Sequence, residues 1–404
     1  MGDAERDCAR SRCLQCKSMK QVDVLVRGAG IVGQSLALSL ARIGLQVAVQ
    51  ADRVRAAAGA AGQADASEFA DVRAYALNAA SVSLLRSLKV WDALPAHAAT
   101  PVYDMRVQGD GRDGAAAGTI AFSAWEQRVG ELAWIVDAPV LEQQLAVALR
   151  FAPHVAVLGP QDSAPAATLT ALCEGKASAA RAALGVEFER HDYGHTAIAA
   201  RLTASLPHQG MARQWFRSPD VLALLPFDAP EPRRSWALVW SVPRERAAEL
   251  LALAPADFEQ ALIQATGGEA GALSLASPRA AWPLMLARAS AWCGPGWVLL
   301  GDAAHVVHPL AGQGLNLGLA DVVALSRVLS QREAWRPLDD PRLLRRYVRE
   351  RALPTWAMGQ LTDTMLHLFA QPTPVVRELR NRGLDLVNHL SPIKRWLAAR
   401  ALDA

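Results

Sequence analysis

Two glycine-rich stretches carry the chemistry that this chain can do. In the first, Val24-Leu25-Val26-Arg27 leads into Gly28-Ala29-Gly30-Ile31-Val32-Gly33. An apolar strand that turns sharply into a helix needs a permissive backbone at Gly28. It needs no side chain at Gly30, where a pyrophosphate approaches, and none at Gly33, where helix and strand meet. The helix that Ile31 and Val32 open then offers unpaired N–H groups and a partial positive charge to the phosphates. The second stretch lies about 270 residues downstream. Trp297-Val298-Leu299-Leu300 leads into Gly301-Asp302-Ala303-Ala304-His305, followed by Pro309 and Gly312-Gln313-Gly314-Leu315-Asn316.

The second stretch narrows the dinucleotide. Asp302 follows a short buried strand and is placed to accept hydrogen bonds from the hydroxyls of a ribityl chain. Gly312-Gln313-Gly314 opens a helix reaching Ser330, apolar at Leu315, Leu319, Val322, Val323, Leu325 and Leu329. Such an N-terminus can aim N–H groups at the pyrimidine end of an isoalloxazine, where a reduced flavin carries negative charge.

Two positions depart from the usual dinucleotide pattern. A carboxylate normally ends the second strand and accepts from a ribose; this chain has Gln50, a weaker neutral acceptor, with Asp52 two residues on. Arg27 puts a charge at the end of a strand that should be buried. Two placements are open for it, outward snorkelling or contact with a phosphate.

The elements that position these groups read as an α/β chain. A helix over 34–43 and a strand at Leu45–Val49 complete the first βαβ half. Helices are predicted over Ala79–Leu88, Val140–Arg150 and 246–266, with a return to the sheet at Leu169–Leu172. After Arg181 the pattern changes to successive short strands at Ala197–Ala199, Ala212–Phe216, Val221–Leu225 and Trp236–Val242, which predicts an antiparallel sheet. The expected division is a cofactor lobe from 19–181 and 284–340, an inserted sheet lobe over 182–283, and a helical region over 341–404.

These motifs resemble the group A FAD-dependent aromatic hydroxylases, and more narrowly the ubiquinone-biosynthesis hydroxylases. The resemblance runs from Met19 across nearly the whole chain and is strongest from Gly301 to Gly318, continuing to Asp321. Asp71-Val72-Arg73-Ala74-Tyr75-Ala76-Leu77-Asn78, Trp134-Ile135-Val136, Asp192-Tyr193-Gly194-His195-Thr196-Ala197 and Leu224-Leu225-Pro226 support it. It implies a Rossmann-like FAD lobe of the p-hydroxybenzoate-hydroxylase type, an inserted antiparallel substrate lobe and a helical C-terminus. The family's middle motif reads here as Glu174-Gly175-Lys176-Ala177-Ser178-Ala179-Ala180-Arg181, with Glu in place of Asp, and His195 stands where the family usually has Gln.

The chemistry implied is that NAD(P)H reduces FAD, oxygen adds at the flavin C4a, and the terminal oxygen passes to an electron-rich ring. On that reading Arg73 and Pro309 are the catalytic candidates. Gly28, Gly30, Ile31, Val32, Gly33, Gln50, Arg73, Glu174, Gly175, Gly301, Asp302, Pro309, Gly312, Gln313, Gly314, Leu315 and Asn316 hold the cofactor. Trp215, Leu224, Pro226 and Trp240 form an apolar substrate wall, with Phe216 and Trp282 as further candidates; a sheet core would use the same residue types. The implied substrate is a small hydrophobic aromatic, here a polyprenylated phenol of ubiquinone biosynthesis. Two other readings stay open: a non-catalytic subunit with the same fold, and a hydroxylase of a soluble aromatic.

Composition sets further bounds. The chain has 404 residues, 51% hydrophobic and 20% charged, enough for a large core. A net charge of +3 gives no argument for nucleic acid. The first twenty residues show no apolar signal segment and no apolar run has membrane-span length, so the expected compartment is the cytoplasm, peripheral to the inner membrane surface. The arginine-rich stretch from Arg377 to Arg400 is a solvated face or a docking face for a membrane or biosynthetic complex. Cys13-Leu14-Gln15-Cys16 is half a zinc-site spacing without its other half, and His305 and His308 lack a third ligand, so no metal is expected. Residues 1–18 read as a disordered leader, with translation expected to start at Met19.

Overall fold

The computed structural model describes residues 21–51, 71–109, 118–159, 162–307 and 313–370. The expectations for the leader, Asp52, His308, Pro309, Gly312 and the Arg377–Arg400 stretch lie outside these residues.

Strand β1 (Gln21–Arg27) sits inside a six-stranded sheet between β2 (Val47–Gln50) and β9 (Ala166–Leu172), with β8 (Val155–Leu158), β17 (Trp297–Leu299) and β16 (Cys293–Gly294) completing the order β16-β17-β9-β1-β2-β8. The pairings from β17 through to β8 are parallel. Each parallel pairing needs a crossover, and helix α1 (Ile31–Arg42) makes the first. Its residues Leu36, Ala37 and Leu40 pack with Val24, Val26, Val47 and Val49. Helices α3 (Ala138–Phe151) and α7 (Gln313–Ser330) add Leu141, Leu145, Leu319 and Val322 to the same core.

A nine-stranded sheet forms the second lobe. Its main path is β18 (His305–Val306), β15 (Ala280–Ala289), β10 (Phe188–Ala204), β13 (Ser235–Pro243), β12 (Asp220–Phe227), β11 (Met211–Arg217), β5 (Asp104–Gln108) and β6 (Thr119–Ser123); β14 (Leu273–Leu275) pairs with β10 off that path. The sheet therefore reaches beyond 182–283 on both sides. β5 and β6 come from the segment assigned to the cofactor lobe and join through a parallel pairing of β5 with β11. Such a long-range pairing leaves no local periodicity to read. The helical stretch at 246–266 is two helices, α5 (Arg244–Ala252) and α6 (Pro255–Thr266), the second opened by Pro255 at its first turn.

The structure corrects the substrate wall. Trp215, Leu224 and Trp240 are buried on one face of the sheet, packed with Trp236, Leu238 and the α5–α6 residues Leu250, Phe258 and Leu262. Pro226 pairs with Trp236, so it shares that face. Strand alternation fixes which residues share a face, but not which face looks toward the cofactor lobe. Trp240 lies 5.9 Å from Phe258 between ring centroids. Phe216 falls on the other face but packs with Val107, Ile120 and Val221.

That other face carries Ala212, Leu225 and Phe227. They pack on a three-stranded sheet of β3 (Ala74–Leu77), β7 (Ala133–Asp137) and β4 (Ala99–Val102) through Ile135 and Val102. The last helix among the described residues, α8 (Pro341–Ala370), packs on α7 and carries Pro354 inside it rather than at an end.

Candidate functional site

The first glycine turn is shaped by backbone contact alone. Gly28 has φ +107°, and a Cβ there would sit 2.3 Å from the carbonyl oxygen of Cys173 on the neighbouring strand. A Cβ on Gly33 would lie 1.9 Å from the oxygen of Gly28. Gly30 is the N-cap of α1 and contributes no side-chain hydrogen bond, so the helix opens with free N–H groups. Gln50 ends β2 directly beside Arg27, in register with it.

The second glycine turn meets the first. Val32, in the first turn of α1, lies against Gly301 and Gly318: added Cβ atoms would come within 3.3 Å and 2.7 Å of its methyl groups. Two segments some 270 residues apart thus form one surface. Gly314 has open space where a Cβ would project, and so does Gly175, at φ +77°.

A buried carboxylate holds the second turn. Asp321 on α7 accepts from the Gly301 N–H (2.9 Å), from His305 Nε2 (2.7 Å) and, at its other oxygen, from Arg351 Nε on α8 (2.8 Å). Burial works against the Asp321 charge, but His305 and Arg351 outweigh it and hold the carboxyl below its ordinary value. Tyr347, one turn before Arg351, donates its hydroxyl to the Leu299 carbonyl at 2.9 Å. Sequence reasoning missed Arg351 and Tyr347 because nothing near them in the chain marks them as partners of the glycine motif.

Asp302 stands out on this turn. It is open to solvent, yet protein surrounds it closely enough to push its carboxyl above the ordinary value, partly offset by His305 and Lys176. A recess of about 360 Å³ lies beside His305, between β10, β15 and α8, with Trp292, Leu286 and Trp356 in its wall.

The remaining motifs converge on the same region. Asn316 Nδ2 donates to the Ala76 carbonyl at 2.8 Å, and its Oδ1 accepts from the Asn78 N–H at 3.1 Å and the Ser81 hydroxyl at 2.7 Å. The Asn316 side chain is thereby committed to the junction between β3 and helix α2 (Ala79–Ser87), and Asn78 caps that helix. Gln313 is buried at the start of α7 and accepts from Asn316 at 3.3 Å; Leu315 packs against the cofactor-lobe core.

Arg73 is clamped by Asp71 (Nε to Oδ1, 2.8 Å) and by Glu142 (3.3 Å), and donates to the Tyr75 hydroxyl at 3.2 Å. These partners raise its pKa, the Asp71 hydrogen bond most, so it is always charged. Burial raises the Tyr75 pKa; Arg73 opposes this and the charge of Asp302 adds to it. Arg201, not singled out from sequence, donates to the Arg73 carbonyl at 2.8 Å and stacks over Phe227 at 3.8 Å.

The middle motif explains both odd charges. Arg27 Nε lies 3.0 Å from Glu174 Oε1. The other Glu174 oxygen accepts from the Ser178 hydroxyl (2.6 Å) and the Ala180 N–H (3.1 Å). The Arg181 guanidinium donates to the carbonyls of Ala303 (2.8 Å) and Lys176 (2.9 Å), tying this motif to the second turn. Pro309 and Gly312 are outside the described residues. Among the described residues no group of three His, Cys, Asp or Glu side chains could hold a metal.

A family model described as an FAD binding domain matches residues 153–362. The ubiquinone hydroxylase UbiL of Rhodospirillum rubrum is 30% identical over 95% of this chain and 90% of its own length. The chain belongs to the FAD-dependent aromatic hydroxylases. The 3-demethoxyubiquinol 3-hydroxylase of Escherichia coli is likewise 30% identical, over 94% of this chain and 98% of that protein. Among solved structures, PqsL of Pseudomonas aeruginosa in complex with 2-aminobenzoylacetate aligns with TM-score 0.70 at 21% identity, covering 90% of this chain and 99% of that one. Klebsiella pneumoniae HpxO complexed with FAD and uric acid aligns with TM-score 0.70 at 17% identity, covering 96% and 98%.

This hydroxylase therefore presents a surface that fits FAD. Its two glycine turns meet through Val32 against Gly301 and Gly318, its first helix opens without a side-chain cap, and the Asp302 carboxylate faces solvent. No helix among the described residues is long and apolar enough to cross a membrane.

Proposed function

We propose that this chain is an FAD monooxygenase that hydroxylates the ring of a polyprenylated phenol in ubiquinone biosynthesis, with NAD(P)H as electron donor. The observation that carries the reading is the joining of four motifs into one region, through Val32 against Gly301, Asn316 on the Ala76 carbonyl and Arg181 on the Ala303 carbonyl, in a chain 30% identical to two ubiquinone hydroxylases.

Bound FAD supplies the oxygen-activating chemistry. The chain's own residues do the rest. Gly28 turns the chain, Gly33 packs helix on strand, and Gly30 lets the backbone approach the pyrophosphate, with the free N–H groups from Ile31 and Val32 onward as donors. Asp302 accepts from ribityl hydroxyls. Gly314 and the start of α7 face the pyrimidine, and Pro309 and Gly312, immediately before them in the sequence, belong to the same motif. Arg73, fixed by Asp71 and Glu142, holds a permanent positive charge beside the ring end of the site. The sheet face bearing Arg201, which reaches the Arg73 carbonyl, rather than the tryptophan face, is the one turned toward the substrate space. A lipid-tailed substrate suits peripheral association with a membrane or with other biosynthetic enzymes.

The test is a visible spectrum of the purified protein, with FAD identified in the denatured supernatant, followed by labelled-oxygen incorporation into a polyprenylated phenol. Stoichiometric FAD and labelled product support the reading. A protein that takes up FAD but labels only a soluble phenol removes the lipid substrate, and one that takes up no FAD removes the hydroxylase.

A further inference from the structure

The Arg27–Glu174 pair is unused by the mechanism above. Arg27 closes β1 immediately before Gly28, beside the uncapped start of α1, and stands in register with Gln50, where a dinucleotide fold normally places a ribose-binding carboxylate. Only its Nε is engaged: among the described residues its terminal nitrogens make no hydrogen bond, and its side chain is 39% exposed. Glu174 is only 7% exposed and is fixed by Ser178 and the Ala180 N–H, so it acts as a rigid anchor.

Strand alternation places Arg27 with Leu25, on the sheet face opposite Val24, Val26 and α1. Gln50 stands beside Ala48 and shares that face with Arg27. The guanidinium is therefore held by one edge, with its two other donors free at the carboxyl end of the strands, where the phosphate and ribose oxygens of a dinucleotide lie in this class of sheet. Arginine's fork can give one N–H to a carboxylate and the others to a phosphate.

We propose that Arg27, oriented by Glu174, donates hydrogen bonds to the phosphate oxygens on the adenosine side of FAD, making up for the charged ribose contact that Gln50 does not provide. The inference rests on the FAD reading of the site. It assigns a shared purpose to the three substitutions: an acid lost at position 50, a base gained at 27, and a longer acid at 174 that reaches it.

The test titrates flavin-stripped full-length protein with FAD and, separately, with FMN, which lacks the adenosine half. The variants are Arg27→Met, Arg27→Lys and Glu174→Gln, with a thermal melt of each apoprotein to establish folding. Loss of a charged hydrogen bond predicts that Arg27→Met weakens FAD about ten- to a hundredfold. FMN binding should change less than about twofold, and the salt dependence of FAD binding should flatten. Arg27→Lys should recover part of the loss. Glu174→Gln should weaken FAD less, and the double variant should lose no more than Arg27→Met alone. FAD affinity within about twofold of wild type in Arg27→Met overturns the proposal, as does equal loss of FAD and FMN, which marks a purely structural role. If wild type takes up FMN and FAD equally poorly, the FAD reading itself falls.

Discussion

At the Gly28–Gly33 turn the shape is dictated by what is missing. Backbone packs on backbone, the helix N-terminus is left open, and the one nearby ion pair stands at the side. At the Gly301–Asp302 turn the shape is dictated by what is present: a buried carboxylate with three donors, two of them side chains from distant elements. On the proposed reading both turns serve one cofactor. The difference teaches that a steric turn is intolerant of added atoms, whereas an ionic turn is intolerant of removed ones.

The sharpest break in the comparison is Asp321→Ala, which leaves Arg351, His305 and the Gly301 N–H without their acceptor. Orphaning a buried charge should cost about 3–5 kcal/mol of stability, read by chemical denaturation. Gly33→Ala tests the steric turn. A methyl 1.9 Å from a backbone oxygen must move the helix, at about 1–3 kcal/mol, with FAD affinity falling as the turn opens. An equal loss on Asp321→Ala with FAD binding intact would show that the ionic network serves the fold and not the turn.

Acid sharpens the contrast further. The native Asp321 carboxyl lies below its ordinary value of 3.8, so its contribution is complete above that pH and fades as pH falls through the lower native value. The stability gap between wild type and Asp321→Asn should therefore narrow only below pH 3.8, in an acid titration followed by circular dichroism. Gly33→Ala should show no such dependence. The smallest effect is expected at Asp302, whose protein surroundings disfavour its charge. Asp302→Asn should raise the melting temperature of the apoprotein slightly while weakening FAD, a residue kept for its ligand at the expense of the empty fold.

The steric turn was legible in the sequence because its requirements are local: glycines at fixed intervals between an apolar strand and an apolar helix. The parallel sheet and the antiparallel lobe followed from periodicity for the same reason. The ionic turn was legible only in part. Gly301 and Asp302 announced themselves, but Arg351 comes 30 residues after Asp321, on a helix whose arginines look alike until one of them is found buried. Arg27 and Glu174 read as two separate anomalies because pairing of β1 with β9, and not sequence proximity, brings them together. The tryptophans of the sheet misled for a different reason. A buried aromatic on an alternating strand looks the same whether its face meets a helix layer or a ligand, and here Trp215 and Trp240 meet α5 and α6.

The grip of α8 on the second turn has a consequence for biosynthesis. Arg351 and Tyr347 lie in the last described helix, so the ribosome must deliver about 350 residues before the Gly301 turn can be clamped. A nascent chain can wind its first βαβ unit early, but its second half-site stays unfinished until α8 has emerged. On the proposed reading flavin capture waits for that helix, and a chain stalled or cut before α8 would carry the fingerprint of a flavoprotein without its colour.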